Sequence, residues 1–177
     1  MPTSLSDMTP TLRFCLKFAA FLVVLLAAFE TSRGTAFERF VVDDAILAPT
    51  AALLDTLAPS DRAALNGRTI VWGGAQLRVT RGCEGVELFL LLAGAVAAFP
   101  ATLERRFKGL LVGFALAYLL SIARLLILAA TLRYSPGVWE SMHGLIMPLA
   151  PVLALALYFL RWSGATAVPA VRAPRAA

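Results

Sequence analysis

GLLVGFALAYLLSIARLLILAATL, residues 109–132, carries one charged side chain, Arg124, in 24 positions. At about 1.5 Å of rise per residue, such a helix covers roughly 36 Å, more than the roughly 30 Å of a bilayer's hydrocarbon core. The stretch therefore predicts a membrane-spanning helix, and three further apolar runs offer it partners: residues 12–29, 86–101 and 144–162. Lys17 interrupts the first run near one end, where its stem can lie along the helix while the ammonium reaches the headgroups. A cleaved signal peptide ending near Ala27 and Ala28 is the competing reading of that run. Either way the chain beyond it emerges on the far side.

The composition agrees. Hydrophobic residues make up 59% of 177 and charged residues 15%, with a mean hydropathy of +0.78, which is too apolar for an ordinary water-facing domain. Clumping of the apolar residues into long runs excludes intrinsic disorder. The expected fold is all-α: a polytopic transmembrane helix bundle of about four spans, with a small extracytoplasmic helix and β-hairpin.

Charge sets the orientation. Glu104, Arg105, Arg106 and Lys108 crowd the short segment 102–108, expected to be a loop, and a basic connection between spans marks the cytoplasmic side. By alternation the inner segments hold eight Lys and Arg against Asp7 and Glu104, while the outer ones hold seven Arg against eight acids. Topology thus accounts for the formal charge of +5, and no nucleic-acid partner is needed. The expected division is residues 1–29 as inner end and first span, 30–82 outside, 83–162 as a three-span core, and 163–177 as a disordered cytoplasmic tail.

Within the outer segment, Val42, Ile46, Leu53, Leu54 and Leu57 recur at roughly helical intervals, predicting a surface helix broken near Pro49. Thr69–Trp72 and Ala75–Thr80 flank Gly73-Gly74, a strand, tight turn and strand pattern that leads directly to Gly82-Cys83-Glu84-Gly85. The other cysteine, Cys15, falls at the opposite end of the bundle, too far from Cys83 for a disulfide. An unpaired thiol on the oxidising side calls for a chemical explanation.

Two more reactive residues share its level. Arg124 lies 16 residues past Lys108 and eight before Leu132, hence roughly 24 Å from one edge and 12 Å from the other. An Arg inside a span needs a partner, and Glu87, the carbonyl of an incoming substrate or a thiolate could serve. His143, the single histidine, opens the last run at its outer end. Taken one at a time, each has a bland reading: a small buried hydrophobe, an interfacial histidine, an Arg paired with Glu87 for packing. Together they describe a nucleophilic site. Cys83 would be the thiolate, His143 would accept its proton and return it to a leaving amine, and Arg124 would favour the thiolate or hold the carbonyl oxygen as charge develops. One His and one outer Cys fall short of a zinc site, and no cofactor is implied.

Cys83-Glu84-Gly85, Ser121-Ile122-Ala123-Arg124 and Met142-His143-Gly144, in that order and at matched depth, resemble the exosortase and archaeosortase group of membrane cysteine transpeptidases. That family carries a Cys-Ser-Gly-like motif opening a span, an Asn-x-x-Arg motif in a later one, and a His at the outer start of the next. The resemblance covers roughly residues 70–162. Glu84 stands where the family has Ser and Ser121 where it has Asn, which leaves the orientation of Arg124 to another group, and four spans are fewer than the larger members carry. With Glu87, those two are the supporting candidates. The resemblance implies a multi-pass enzyme of the cytoplasmic membrane with its site facing outward. Its substrates would be exported proteins ending in a short motif, a hydrophobic helix and a basic cluster, cut through an acyl-thioester that an amine, another acceptor or water resolves.

The rival from another class is a non-catalytic membrane scaffold held by an Arg124–Glu87 pair, which should tolerate Cys83→Ser. An intramembrane hydrolase of another type lacks a Ser/His pair or paired Asp at suitable depth. A transporter is disfavoured because the ionisable groups cluster at one face.

Overall fold

The computed structural model describes residues 9–164. Helix α1 (Pro10–Thr31) starts where the Thr9 hydroxyl accepts from the Leu12 amide and Pro10 fills the first turn, where its missing N–H costs nothing. Phe29 is its single buried residue. A tight corner then leads to α2 (Ala36–Arg39), capped by Thr35 Oγ1. The Glu38 carboxylate turns back to accept from the Gly34 amide at 2.6 Å, a close relative of the capping box.

Helical structure continues without a break from α2 through a π-helical segment (Phe40–Leu47) into α3 (Ala48–Leu57). The expected break at Pro49 is therefore not there. Pro49 lies in the first turn of α3, and the wider π turn, closed from the Ala48 amide to the Asp43 carbonyl, precedes the residue that cannot donate. Val42, Ile46, Leu47, Thr50, Ala51 and Leu54 form its buried face.

The expected hairpin is a three-stranded antiparallel meander, β1 (Ala63–Asn66), β2 (Thr69–Trp72) and β3 (Ala75–Arg78). Asn66 pairs with Thr69 and Trp72 with Ala75, so both turns have two residues. Gly73 (φ +52°) and Gly74 (φ +84°) supply the left-handed conformations the second turn requires. β1 escapes the sequence pattern because Ala63 to Asn66 is exposed along most of its length and lacks alternation.

Helix α4 (Val86–Ala98) has 13 residues, about 20 Å of rise, and is shorter than expected. Phe99 is extended because Pro100 follows it. Helix α5 (Leu103–Tyr134) has 32 residues and takes in the basic segment, whose charged residues occupy its first two turns. After a short 3₁₀ turn come α6 (Trp139–Ser141), a π-helical segment (Met142–Ile146) and α7 (Met147–Gly164). The tail assigned from residue 163 therefore begins inside a helix, and residues 165–177 lie outside the described part.

Three helical stretches are long and apolar enough to cross a membrane: Pro10–Thr31, Leu103–Tyr134 and Pro136–Gly164, with Val86–Ala98 as a shorter apolar helix. The chain is a helical membrane protein with a small sheet. Gly109, Gly113, Ala117 and Ser121, four residues apart on α5, are all buried. A side chain on Gly113 would collide with Leu92 and Tyr158, so small residues set the close approach of α4, α5 and α7. Leu88, Leu92, Val96, Ala117 and Leu155 fill that seam.

A second core lies at the other end of α4. Phe29, Val42, Ile46, Leu54, Ile70, Trp72, Leu77, Leu125, Leu128 and Met147 join the surface helix, the sheet and the ends of α5 and α7. Arg133, near the C-terminus of α5, locks these layers together. Its guanidinium pairs with Asp61 at 2.9 Å and donates to the Gly73 carbonyl. Cys83 is part of this core.

Candidate active site

β3 delivers the chain to Val79-Thr80-Arg81-Gly82-Cys83-Glu84-Gly85. The Cys83 amide donates to the Thr80 carbonyl at 2.9 Å, closing a turn that presents the thiol. Gly85, the residue capping α4, has φ +83°. A Cβ there would strike Ser121 Oγ, so glycine is required by backbone and by space. Ser121 donates its hydroxyl to the Ala117 carbonyl at 2.9 Å. Its task is to lie beneath the loop, and its hydroxyl is committed to its own helix.

The loop brings Cys83 Sγ to 3.2 Å from His143 Nε2. Thr80 Oγ1 lies 3.8 Å from the same sulfur. Cys83 is 8% exposed, buried but reachable. His143 sits in the π-helical segment before α7, a local widening that shifts the register of side chains along a helix. Its ring stacks on Trp139 with centroids 5.0 Å apart and planes 15° apart, leaving Nε2 toward the thiol. Trp139 and Thr80 were not singled out by the sequence, since neither residue type announces a supporting role.

Arg124 reaches the loop from below. Nη1 donates to the Gly82 carbonyl at 3.0 Å, and Nε is buried with no hydrogen-bond partner. The Arg124–Glu87 pair considered from the sequence does not form. Glu87 keeps a buried Oε2 with no hydrogen-bond partner in the first turn of α4. Cys83, His143 and Arg124 thus meet around one loop, while Ser121 supports it and Glu87 stands aside.

Glu84 is 2% exposed. Burial pushes its carboxyl above the ordinary range, the neighbouring Glu87 charge adds to this, and the Arg33 charge pulls the other way. Arg33 Nη1 stands 3.8 Å from Glu84 Oε1 and 3.5 Å from Glu38, and Nε is 2.6 Å from Glu30. Arg68 pairs with Glu38 at 3.0 Å and with Asp43 at 2.9 Å. The Gly34 amide, followed by Arg68, holds the Glu38 carboxyl below its usual range. This chain of ion pairs ties the α1–α2 corner, the π segment and the β1–β2 turn to the residue after Cys83. The sequence signal that could have located it is the Thr35-x-x-Glu38 cap.

The geometry places a thiol at hydrogen-bond distance from an imidazole that stacks on an indole, in a loop held by a guanidinium, an arrangement that can support nucleophilic chemistry. Cys83 and Cys15 are both free thiols. Among the described residues no group of three His, Cys, Asp or Glu side chains is placed to hold a metal ion. No family model matches the chain, and no curated protein or solved structure matches it either.

Proposed function

We propose that this protein is a membrane cysteine peptidase or transpeptidase of the exosortase kind, acting on the extracytoplasmic side of the cytoplasmic membrane. The observation that carries the reading is the 3.2 Å approach of Cys83 Sγ to His143 Nε2, between residues 60 apart in sequence, one in the loop before α4 and the other in the π-helical segment before α7. An imidazole at hydrogen-bond distance is the partner that can take a thiol's proton.

In the proposed reaction His143 Nε2 takes the thiol proton and the thiolate attacks the scissile carbonyl carbon. Charge developing on the carbonyl oxygen is favoured by the positive Arg124 guanidinium, which holds the Gly82 carbonyl of the same loop. The C–N bond then breaks, His143 returns the proton to the leaving amine, and an acyl-thioester on Cys83 remains. An amine or water attacks the thioester, and the thiolate leaves and is reprotonated. The resemblance supplies the substrate class: an exported protein whose hydrophobic tail helix lies beside the enzyme in the bilayer, setting its cleavage site at the depth of Cys83.

The test compares the C-terminal peptides of exported proteins in cells carrying the native enzyme or Cys83→Ala. A set of proteins that keeps its hydrophobic tails only in the mutant is the expected result. Identical C-termini in both, with tail-bearing exported proteins present, would overturn the reading.

A further inference from the structure

At the end of the bundle remote from Cys83, Arg13 and Lys17 of α1 and Arg106 of α5 line one cavity of about 600 Å³. Its walls include Phe14, Phe21 and Ala98, and no carboxylate among the described residues lines it. Arg105, Lys108 and Arg161 line a second cavity at the same end, where Lys108 is paired with Glu104. Arg33, Arg68, Lys108 and Arg133 each have a carboxylate partner. Arg13, Lys17 and Arg106 have none among the described residues.

Arg106 is built into the site. Its Nη2 donates to the Phe99 carbonyl at 2.9 Å, which fixes the guanidinium over the α4–α5 connection, and its Nε is buried without a hydrogen-bond partner. Like charges converging on an open cavity repel one another unless an anion joins them. The volume falls in the range of small-molecule sites, roughly 300–1,000 Å³. From Arg13 to Phe21 the cavity follows α1 for about two turns, roughly 12 Å, with both α1 cations in its first half and Phe21 at its far end. A ligand fitting that gradient has an anionic head and an apolar chain.

We propose that this cavity is a specific site for an anionic phospholipid, with the phosphate among Arg13, Lys17 and Arg106 and an acyl chain against Phe14 and Phe21. The site is independent of the chemistry at Cys83. It would fasten α1, whose residues are otherwise mostly exposed, to the α4–α5 connection through a shared ligand.

The experiment is native mass spectrometry of the full chain released from micelles containing phosphatidylglycerol and phosphatidylcholine with identical chains. The native protein should retain one phosphatidylglycerol in preference to phosphatidylcholine. Arg13→Gln/Lys17→Gln should lower that preference by about fivefold per lost cation. Lys108→Gln/Arg161→Gln removes equal charge from the same end and should leave it within about twofold, since neither residue lines this cavity. Equal retention of the two lipids would overturn the proposal. So would equal loss in both double variants, which would reduce the effect to surface charge, or displacement of the lipid by millimolar inorganic phosphate, which would make it a free-anion site. Arg13→Gln alone, on the surface of α1, is the second variant if the double substitution does not fold.

Discussion

Arg124 in α5 donates to the Gly82 carbonyl at 3.0 Å, and that carbonyl belongs to the peptide unit whose nitrogen is that of Cys83. A buried guanidinium therefore holds the backbone that positions the Cys83 thiol. Hydrogen bonds to charged groups contribute about 1.5–3 kcal/mol, and lysine offers neither the planar fork nor the reach. Arg124→Lys should lower stability by about that amount and should slow alkylation of Cys83 by iodoacetamide. Thermal unfolding in detergent and the alkylation rate check it together. Native values for both would mean the contact does not fix the loop.

Gly85 tests the same loop from its other end. With φ +83° and Ser121 beneath it, Gly85→Ala faces backbone strain of about 1–2 kcal/mol and overpacking of about 1–3 kcal/mol. Adding Ser121→Ala removes the hydroxyl in the way while leaving the strained backbone, so the pair should recover part of the lost stability. Unfolding midpoints of the two single variants and the pair give the coupling. Strict additivity would show that Ser121 and Gly85 do not press on each other.

How legible this was depends on what each feature rests upon. The apolar runs around residues 109–132 carry their own signal, and so does the Gly73-Gly74 turn. Counting rise from the run ends puts Cys83, Arg124 and His143 near one level, and the structure brings all three to the Gly82–Cys83 loop. The missed features depend on pairings distant in sequence. Arg33 meets Glu84, and Arg68 meets Glu38, only after the surface helix packs on the sheet. Helical periodicity does not distinguish the π segment before Pro49 from a broken helix, and a run of apolar residues does not reveal that Phe99 turns extended ahead of Pro100. Glu87 stands among the partners expected for Arg124 because charge pairing is readable from composition, whereas the Gly82 backbone carbonyl that it meets is not.

Glu38 gives the ion-pair chain a pH signature. Its folded carboxyl titrates below the ordinary glutamate range because the Gly34 amide and then Arg68 favour the charged form. A depressed carboxylate adds stability at pH values above its unfolded titration, and that stability is lost as the pH falls through the folded one. Glu38→Gln should therefore be less stable than the native protein at pH 7 by about 3 kcal/mol, the scale of a broken buried pair. The gap should close progressively below about pH 4.5. Unfolding midpoints of both proteins from pH 7 to pH 3 measure it, and a gap that stays constant would contradict the assignment.

Trp139 is the ring on which the His143 imidazole rests. Its ring lies 5.0 Å from that of His143 and nearly parallel to it, and Trp139 itself packs against the core around Cys83, so the stack can keep the imidazole from swinging away from the thiol. Trp139→Phe preserves a stacking face, while Trp139→Ala removes it along with about 0.5–1.5 kcal/mol of ring pairing. If the ring only filled space, both variants would alter stability and leave the thiol alone. If it orients His143, Trp139→Ala should cut the rate of Cys83 alkylation at pH 7 toward the level of His143→Ala, with Trp139→Phe close to native. In a Trp139→Ala/His143→Ala pair the tryptophan change should then cost nothing further, because groups acting as one unit are not additive.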